Sequence, residues 1–386
     1  NLNTGNITQG GDTDTITGVE RVLATANNDT FQITDTDLAG MTAANFYDGR
    51  AGSDTLVITG NLNFDADKLN THFDNLEVID MTGITTTADF FEISGDHVAG
   101  LASGNGSTLR LNVDPSHVEQ ITVLDGATYR LIGTTTTSGS VTSYTFSNGS
   151  NTITLEIDAP NVWGSDIDDT IVDDGNGHDI YGQAGNDDIT AGAGDDTVYG
   201  GADNDIIVGG TGADLLNGDA GNDTLEGGAA GTADGASDVI NGGAGNDLIF
   251  MEDETAAANT LDGGSDVDTL NASRLSGVGV DIDLEANSIS GTNDTINDFE
   301  NVIGTDQDDI LRGHNSEANT LQAGAGDDTI YVDSDHASDV YDGGAGLDDT
   351  LNASENGVSG LTIDLENNEL NGNANISGFE HVVGTS

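Results

Sequence analysis

The sequence predicts an all-β chain: a parallel β-roll, interrupted by a β-rich stretch that lacks the repeat. Three observations carry that reading. Residues 182–226 divide into nines without a slip: GQAGNDDIT, AGAGDDTVY, GGADNDIIV, GGTGADLLN and GDAGNDTLE. Glycine reaches 55 residues while aromatics are 5 %, a composition suited to a thin core rather than a thick globular one. Outside the repeat, segments such as TLRLNV, VTSYTF and TITLEI alternate like strands between Gly, Ser and Asn turns.

Within the nines, an aspartate holds the sixth place: Asp187, Asp196, Asp205, Asp214 and Asp223. An aliphatic residue follows two places later: Ile189, Val198, Ile207, Leu216 and Leu225. Glycines at places one, two and four allow a tight turn with its carbonyls exposed. The last three places suit a short strand with one side chain turned inward. Turn, strand, turn, strand then closes one coil from two nonapeptides, which stacks Asp187, Asp205 and Asp223, and likewise Asp196 and Asp214. Carboxylates about 4 Å apart repel by roughly 4 kcal/mol at an effective dielectric of ~20, so cations must lie between the layers. Carboxylates and turn carbonyls are hard oxygen ligands that suit Ca²⁺, whereas Mg²⁺ demands a stricter octahedron and keeps its waters.

This GGxGxDxUx spacing closely resembles the nonapeptide of the RTX (repeats-in-toxin) family. The resemblance implies a right-handed parallel β-roll, a calcium-bound β-solenoid, with Ca²⁺ held at many turns. It also implies export of the unfolded chain through a type I secretion channel of a Gram-negative bacterium, then folding outside the cell on calcium. The most similar proteins by this reading are the repeat regions of large adhesins or surface-layer proteins. The alternative is the RTX tail of a secreted lipase, protease or alginate epimerase whose catalytic domain lies outside this chain.

Charge agrees with that class. The 69 acids against 7 bases give a formal charge of −62. Residues 1–160 hold 21 acids and 5 bases (−16), leaving 48 acids and 2 bases (−46) for the rest. Such a chain repels nucleic acid and anionic membrane, and no apolar run reaches membrane-spanning length. With no cysteine there are no disulfides and no thiolate metal sites. Cations are the expected cross-links.

Taken in order, residues 1–60 read as a partial RTX-type unit. Glu20-Arg-Val-Leu-Ala-Thr matches Glu300-Asn-Val-Ile-Gly-Thr and Glu380-His-Val-Val-Gly-Thr. Asp29 and Phe31 follow Glu20 at the offsets of Asp309 and Leu311 after Glu300, and both ends of the chain look like cuts through a longer array. GRAGSDTLV (49–57) is a further nonapeptide, with Asp54 and Leu56 in place. Residues 61–160 form the β-rich insert or small domain, with short helices expected at 65–73 and 95–103 and a boundary at Pro160. This stretch resembles the spacers between the rolls of very large RTX surface proteins.

The main roll covers 161–273. Its key acid steps from Asp169 to Asp179 (ten), to Asp187 (eight), and then by nines to Asp223. An insertion near GTADGA leads to Asp238 and Asp247, Asn259 stands where an acid is expected, and Asp268 resumes. Residues 274–386 read as units of about 80 residues, since Glu300 to Glu380 is 80 and Leu270 to Leu351 is 81. Asp309, Asn319, Asp328, Asp339 and Asp349 hold the key places, with Leu311, Leu321, Ile330, Tyr341 and Leu351 turned inward. Asn259 and Asn319 lack the carboxylate that a calcium site needs. VDIDLE (280–285) and TIDLEN (362–367) read as strands with a solvated acidic face.

The candidate metal ligands are therefore Asp29, Asp54, Asp169, Asp179, Asp187, Asp196, Asp205, Asp214, Asp223, Asp238, Asp247, Asp268, Asp309, Asp328, Asp339 and Asp349. His178 and His336 fall in turns and are expected to be solvated. No constellation for catalysis is expected, since the sequence has neither HExxH, nor GxSxG, nor a phosphate loop. Expected partners are calcium ions, with self-association or a cell-surface polysaccharide as further contacts. Neither nucleic acid nor membrane insertion is expected.

Overall fold

A computed structural model describes residues 161–173, 177–228, 235–252, 257–315, 317–333, 338–354, 362–370 and 375–384, and, in the first 160 residues, the strands with 54, 76 and 98–99. The fold is all-β, a parallel β-roll, and among the described residues only 98–99 are helical. Of the helix expected at 65–73, residues 65–72 lie outside the described residues and Phe73 opens strand Phe73–Asp74. The helix expected at 95–103 is described only at 98–99. The chain divides into two compact units: residues 1–174 with 178–188, and 175–177 with 189–386.

In the first unit, strands Thr30–Thr34, Thr55–Asn61, Val78–Thr86, Thr108–Asn112 and Thr152–Asp158 pair in parallel to form the middle of one sheet. Antiparallel strands flank it, Gly5–Gln9 with Asp12–Ile16 on one side and Val141–Ser147 on the other. The register aligns Phe31, Leu56, Ile79 and Leu111, all buried, in one inward column. A second parallel sheet, Arg21–Leu23, Phe46–Asp48 and Phe73–Asp74, brings the Tyr47 ring onto Phe73 at 4.9 Å and edge-on to Phe31 at 5.9 Å. The boundary expected at residue 60 falls inside strand Thr55–Asn61, and the large sheet runs through it. Trp163, fully buried, stacks on Tyr181 where Val162–Trp163 pairs with Asp179–Ala184.

In the second unit, the chain alternates between two parallel sheets. One contains Thr197–Ala202, Leu215–Ala220, Val239–Ala244 and Thr260–Ser265; the other contains Ile206–Thr211, Thr224–Gly228, Leu248–Phe250 and Thr269–Asn271. Val198, Leu216, Ile240 and Leu261 line the inside of the first, and Ile207, Leu225, Ile249 and Leu270 the inside of the second. Each such buried side chain contributes about 1.5–3 kcal/mol, so this thin core grows one coil at a time. Residues 281–297 add an antiparallel meander, Asp281–Asp283, Ser288–Ser290 and Thr295–Asn297, to the first sheet. Coiling then resumes with Asn301–Ile303, Ile310–Arg312, Thr320–Gln322, Thr329–Tyr331, Val340–Asp342 and Thr350–Asn352. Asp281 and Asp283 are half-exposed on either side of buried Ile282, the arrangement that VDIDLE's alternation calls for.

Candidate metal centre

The key residues stand two places before each inward side chain, and the coils join them by one recurring bond. The backbone N–H of one key residue donates to the side-chain oxygen of its counterpart in the next coil. In the second unit, Asp196 N donates to Asp214 Oδ1 at 2.8 Å, Asp214 N to Asp238 Oδ1 at 2.8 Å, and Asp238 N to Asn259 Oδ1 at 2.9 Å. On the other sheet Asp205 N donates to Asp223 Oδ1, Asp223 N to Asp247 Oδ1, and Asp247 N to Asp268 Oδ1, all at 2.7–2.8 Å. Farther on, Asp309 N reaches Asp328 Oδ1 at 2.7 Å and Asp328 N reaches Asp349 Oδ1 at 2.9 Å. In the first unit Asp169 N reaches Asp187 Oδ1 at 2.8 Å.

Only one oxygen of each carboxylate is used by that bond. Oδ2 of Asp223, Asp247, Asp268, Asp328 and Asp349 is buried and has no hydrogen-bond partner among the described residues. Leaving a buried carboxylate oxygen unpaired costs several kcal/mol unless something else binds it. Burial pushes the Asp223 and Asp268 carboxyls up to about 7, with neighbouring carboxylates adding to the shift. Asp328 rises for the same reasons to about 6. The two cationic side chains of this unit are engaged elsewhere. Arg274 pairs with Glu226 over the Phe250 ring, and Arg312 pairs with Asp281 at 2.7 Å over the Tyr331 ring.

The turns are shaped around those oxygens. A Cβ on Gly209, Gly218 or Gly242 would fall on Oδ2 of Asp214, Asp223 or Asp247. At these three turns place one is glycine for room, while places two and four, such as Gly210 and Gly212, take φ near +125°. The residues present therefore fit a hard divalent cation, held by carboxylates of successive coils and turn carbonyls, which would neutralise the buried charge.

Most of the expected ligands occupy this ladder: Asp169, Asp187, Asp196, Asp205, Asp214, Asp223, Asp238, Asp247, Asp268, Asp309, Asp328, Asp339 and Asp349 are all buried. Asp54 is buried before Leu56 in the first unit, and Asp29 and His336 lie outside the described residues. Asp179 requires correction. It is exposed at the start of strand Asp179–Ala184, and the place two before inward Ile180 belongs to His178. The step is nine on both sides of His178, so there is no ten-and-eight compensation. Nor is His178 solvated: its side chain is 11 % exposed, with Nδ1 2.7 Å from Asp173 Oδ2.

Three rungs are closed from within. Asp169 Oδ2 accepts from Ser165 N and Oγ at 2.6 and 2.7 Å. Asp309 accepts from Thr305 N and Oγ1 at 2.6 and 2.9 Å. Asp339 Oδ2 accepts from the Tyr341 hydroxyl at 2.7 Å. Three further acids enter the ladder unannounced by the nonapeptide: Asp294 Oδ1 accepts from Asn259 N, Glu300 Oε2 from Asp268 N, and Glu380 Oε2 from Asp349 N. The position of Glu300 and Glu380 two places before an aliphatic was the available signal.

Fold and ladder together define a class, the parallel β-roll with a ladder of buried carboxylates that suits hard cations. The RTX calcium-binding nonapeptide repeat (4 copies) matches residues 163–198, 173–207, 181–216, 199–230, 232–250, 303–338 and 315–350. Those segments carry the RTX nonapeptide, a repeat that binds calcium. No curated protein matches the chain.

Proposed function

We propose that the chain is a calcium-dependent structural segment of an adhesin or surface-layer protein, exported unfolded and ordered outside the cell by Ca²⁺. The observation that supports it most is the set of buried carboxylates, Asp223, Asp247, Asp268, Asp328 and Asp349, whose Oδ2 has no hydrogen-bond partner among the described residues, in a chain with net charge −62. Without divalent ions these rungs repel and the coils stay open. With ions, each site filled at 100 times its Kd adds about 2.7 kcal/mol. A chain that orders only when such sites fill is threadable at cytosolic calcium and rigid outside. Its role in this reading is mechanical and non-catalytic, and its further partners are copies of itself or a cell-surface polysaccharide.

The test has two arms. Circular dichroism titrated with Ca²⁺ and with Mg²⁺ should show β-structure gained on calcium alone. Cells bearing the parent protein should release it or lose adhesion in EGTA. Retained adhesion in chelator, or turnover of a lipid, peptide or polysaccharide by the parent, would replace this reading with that of an RTX tail on a secreted enzyme.

A further inference from the structure

Two turns of the second unit are shorter than the nonapeptide allows, and both are closed by a glutamate. Nine residues separate inward Leu261 from Leu270, but six separate their neighbours Ile296 and Val302. The second case is Ile376 to Val382, again six residues, where the coil beneath spans Tyr341 to Leu351. Each short turn reads x-[Asp/Gly]-Phe-Glu: Asn297-Asp298-Phe299-Glu300 and Ser377-Gly378-Phe379-Glu380. Asp298 and Gly378 take left-handed backbone, φ 51° and 73°, and the phenylalanine rings are buried.

The backbone bonds of the two turns match one by one. The N–H groups of Glu300 and Asn301 donate to Asp268 O at 3.2 and 2.9 Å; those of Glu380 and His381 donate to Asp349 O at 3.1 and 2.9 Å. Above them, Glu300 Oε2 accepts from Asp268 N at 2.7 Å and Glu380 Oε2 from Asp349 N at 3.1 Å. Those are the bonds that an aspartate Oδ1 makes in a full-length turn. The extra methylene of glutamate spans the distance that the shorter turn leaves open. Beneath each glutamate, Asp268 and Asp349 are 0 % exposed, and their Oδ2 atoms have no hydrogen-bond partner among the described residues. A Cβ on Gly263 would crowd the Asp268 side chain, and one on Gly346 would lie 2.6 and 2.8 Å from the two Asp349 carboxylate oxygens. Leu76-Glu77-Val78 follows the same order of residues, and Val78 N donates to buried Asp54 O at 3.0 Å.

We propose that Asp268 with Glu300, and Asp349 with Glu380, form two calcium sites completed by a glutamate that the nonapeptide does not supply, one in each unit of about 80 residues. Glu300, Asp268 and Glu380 all lie beyond the segments that match the RTX repeat. The ligands offered are a buried aspartate oxygen, a glutamate carboxylate able to bind through both oxygens, and turn carbonyls, all hard donors of the kind Ca²⁺ takes in six- to eightfold sets. The proposal rests on the calcium reading of the ladder and extends it.

Calcium counted by equilibrium dialysis of the whole chain tests it. Glu300→Gln and Glu380→Gln keep an oxygen for the backbone bond but lose the charge, so each should bind one ion fewer, and the double variant two fewer. Glu300→Asp, too short for the turn, should also lose one. Glu366→Gln, on an exposed turn, should lose none. An unchanged count in both single variants overturns the proposal while leaving the nonapeptide sites intact. Loss of every ion on either change overturns it too, because the glutamate would then hold the fold rather than one ion. If the unaltered chain binds no calcium, the underlying calcium reading fails instead.

Discussion

Asp309 and Asp328 occupy the same place in adjacent coils of one sheet, yet their turns solve the same electrostatic problem differently. The turn before Asp309 reads GTDQDD; the turn before Asp328 reads AGAGDD. At Asp309, Oδ1 accepts from Val280 N at 2.7 Å and from Thr305 Oγ1, while Oδ2 accepts from Thr305 N. The carboxylate is saturated within the protein. At Asp328 Oδ1 accepts from Asp309 N, and Oδ2 is buried without a hydrogen-bond partner among the described residues. One hydroxyl, four residues before the acid, does for the first coil what a cation would do for the second under the proposed calcium reading. Ser165 and Asp169 repeat the closed arrangement in the first unit, in the related sequence GSDIDD. Identical register therefore does not mean identical metal chemistry.

Chelation should separate the two kinds of turn most strongly. In EGTA, amides of the open run from Val198 to Leu270 are expected to lose hydrogen-exchange protection, and those around Thr305–Asp309 to keep the most. Uniform protection with and without calcium would erase the distinction. Next in size, Asp328→Asn should cost one ion and about 2.7 kcal/mol at 100 times Kd, whereas Asp309→Asn should cost no ion. Equal stoichiometry in the two variants, read by calorimetric titration, would show that the hydroxyl does not substitute for calcium.

Proton linkage comes third. Asp223, Asp268 and Asp328 have folded pKa values of about 7, 7 and 6, above the ordinary 3.8 of an unfolded aspartate. Between those values the folded, calcium-free chain holds more protons than the unfolded one, so its stability falls as pH rises from about 4 to about 7. Residual β-structure in calcium-free buffer should therefore be greater at pH 5 than at pH 8, and calcium affinity should rise over the same range as protons are displaced. The smallest effect is expected of Thr305→Gly. It removes a hydroxyl bond of about 1 kcal/mol from the calcium-free state and should open a site for one added ion.

How far all this was readable in the residues depends on what sets each position. The inward column, from Val198 and Ile207 onward, follows directly from a strict period of nine. His178 was hidden because Asp179 beside it offered a carboxylate; counting back from Ile180, the residue that packs, places the rung correctly. Glu300 and Glu380 were visible as markers of the 80-residue period but not as rungs, because their turns are three residues short and only pairing in space restores the alignment. Asp294 was missed for a similar reason, since the meander at 281–297 separates it by 35 residues from Asn259, its partner. In the first unit the inward residues step by 25 and 23, from Phe31 to Leu56 to Ile79, so no fixed period announces the parallel pairing there.

The Thr305 hydroxyl has a kinetic consequence as well. The first coil of a solenoid must order its chain with no neighbour to serve as template, and that step carries the nucleation barrier. A turn that closes on its own threonine can form before any ion arrives, so it is the natural nucleus. Under the proposed calcium reading, later coils then zip onto its edge one at a time, each gated by ion capture at Asp328 and then at Asp349. After a calcium jump, pulsed hydrogen exchange should protect Ile310–Arg312 before Thr350–Asn352, and Thr305→Gly should abolish that order.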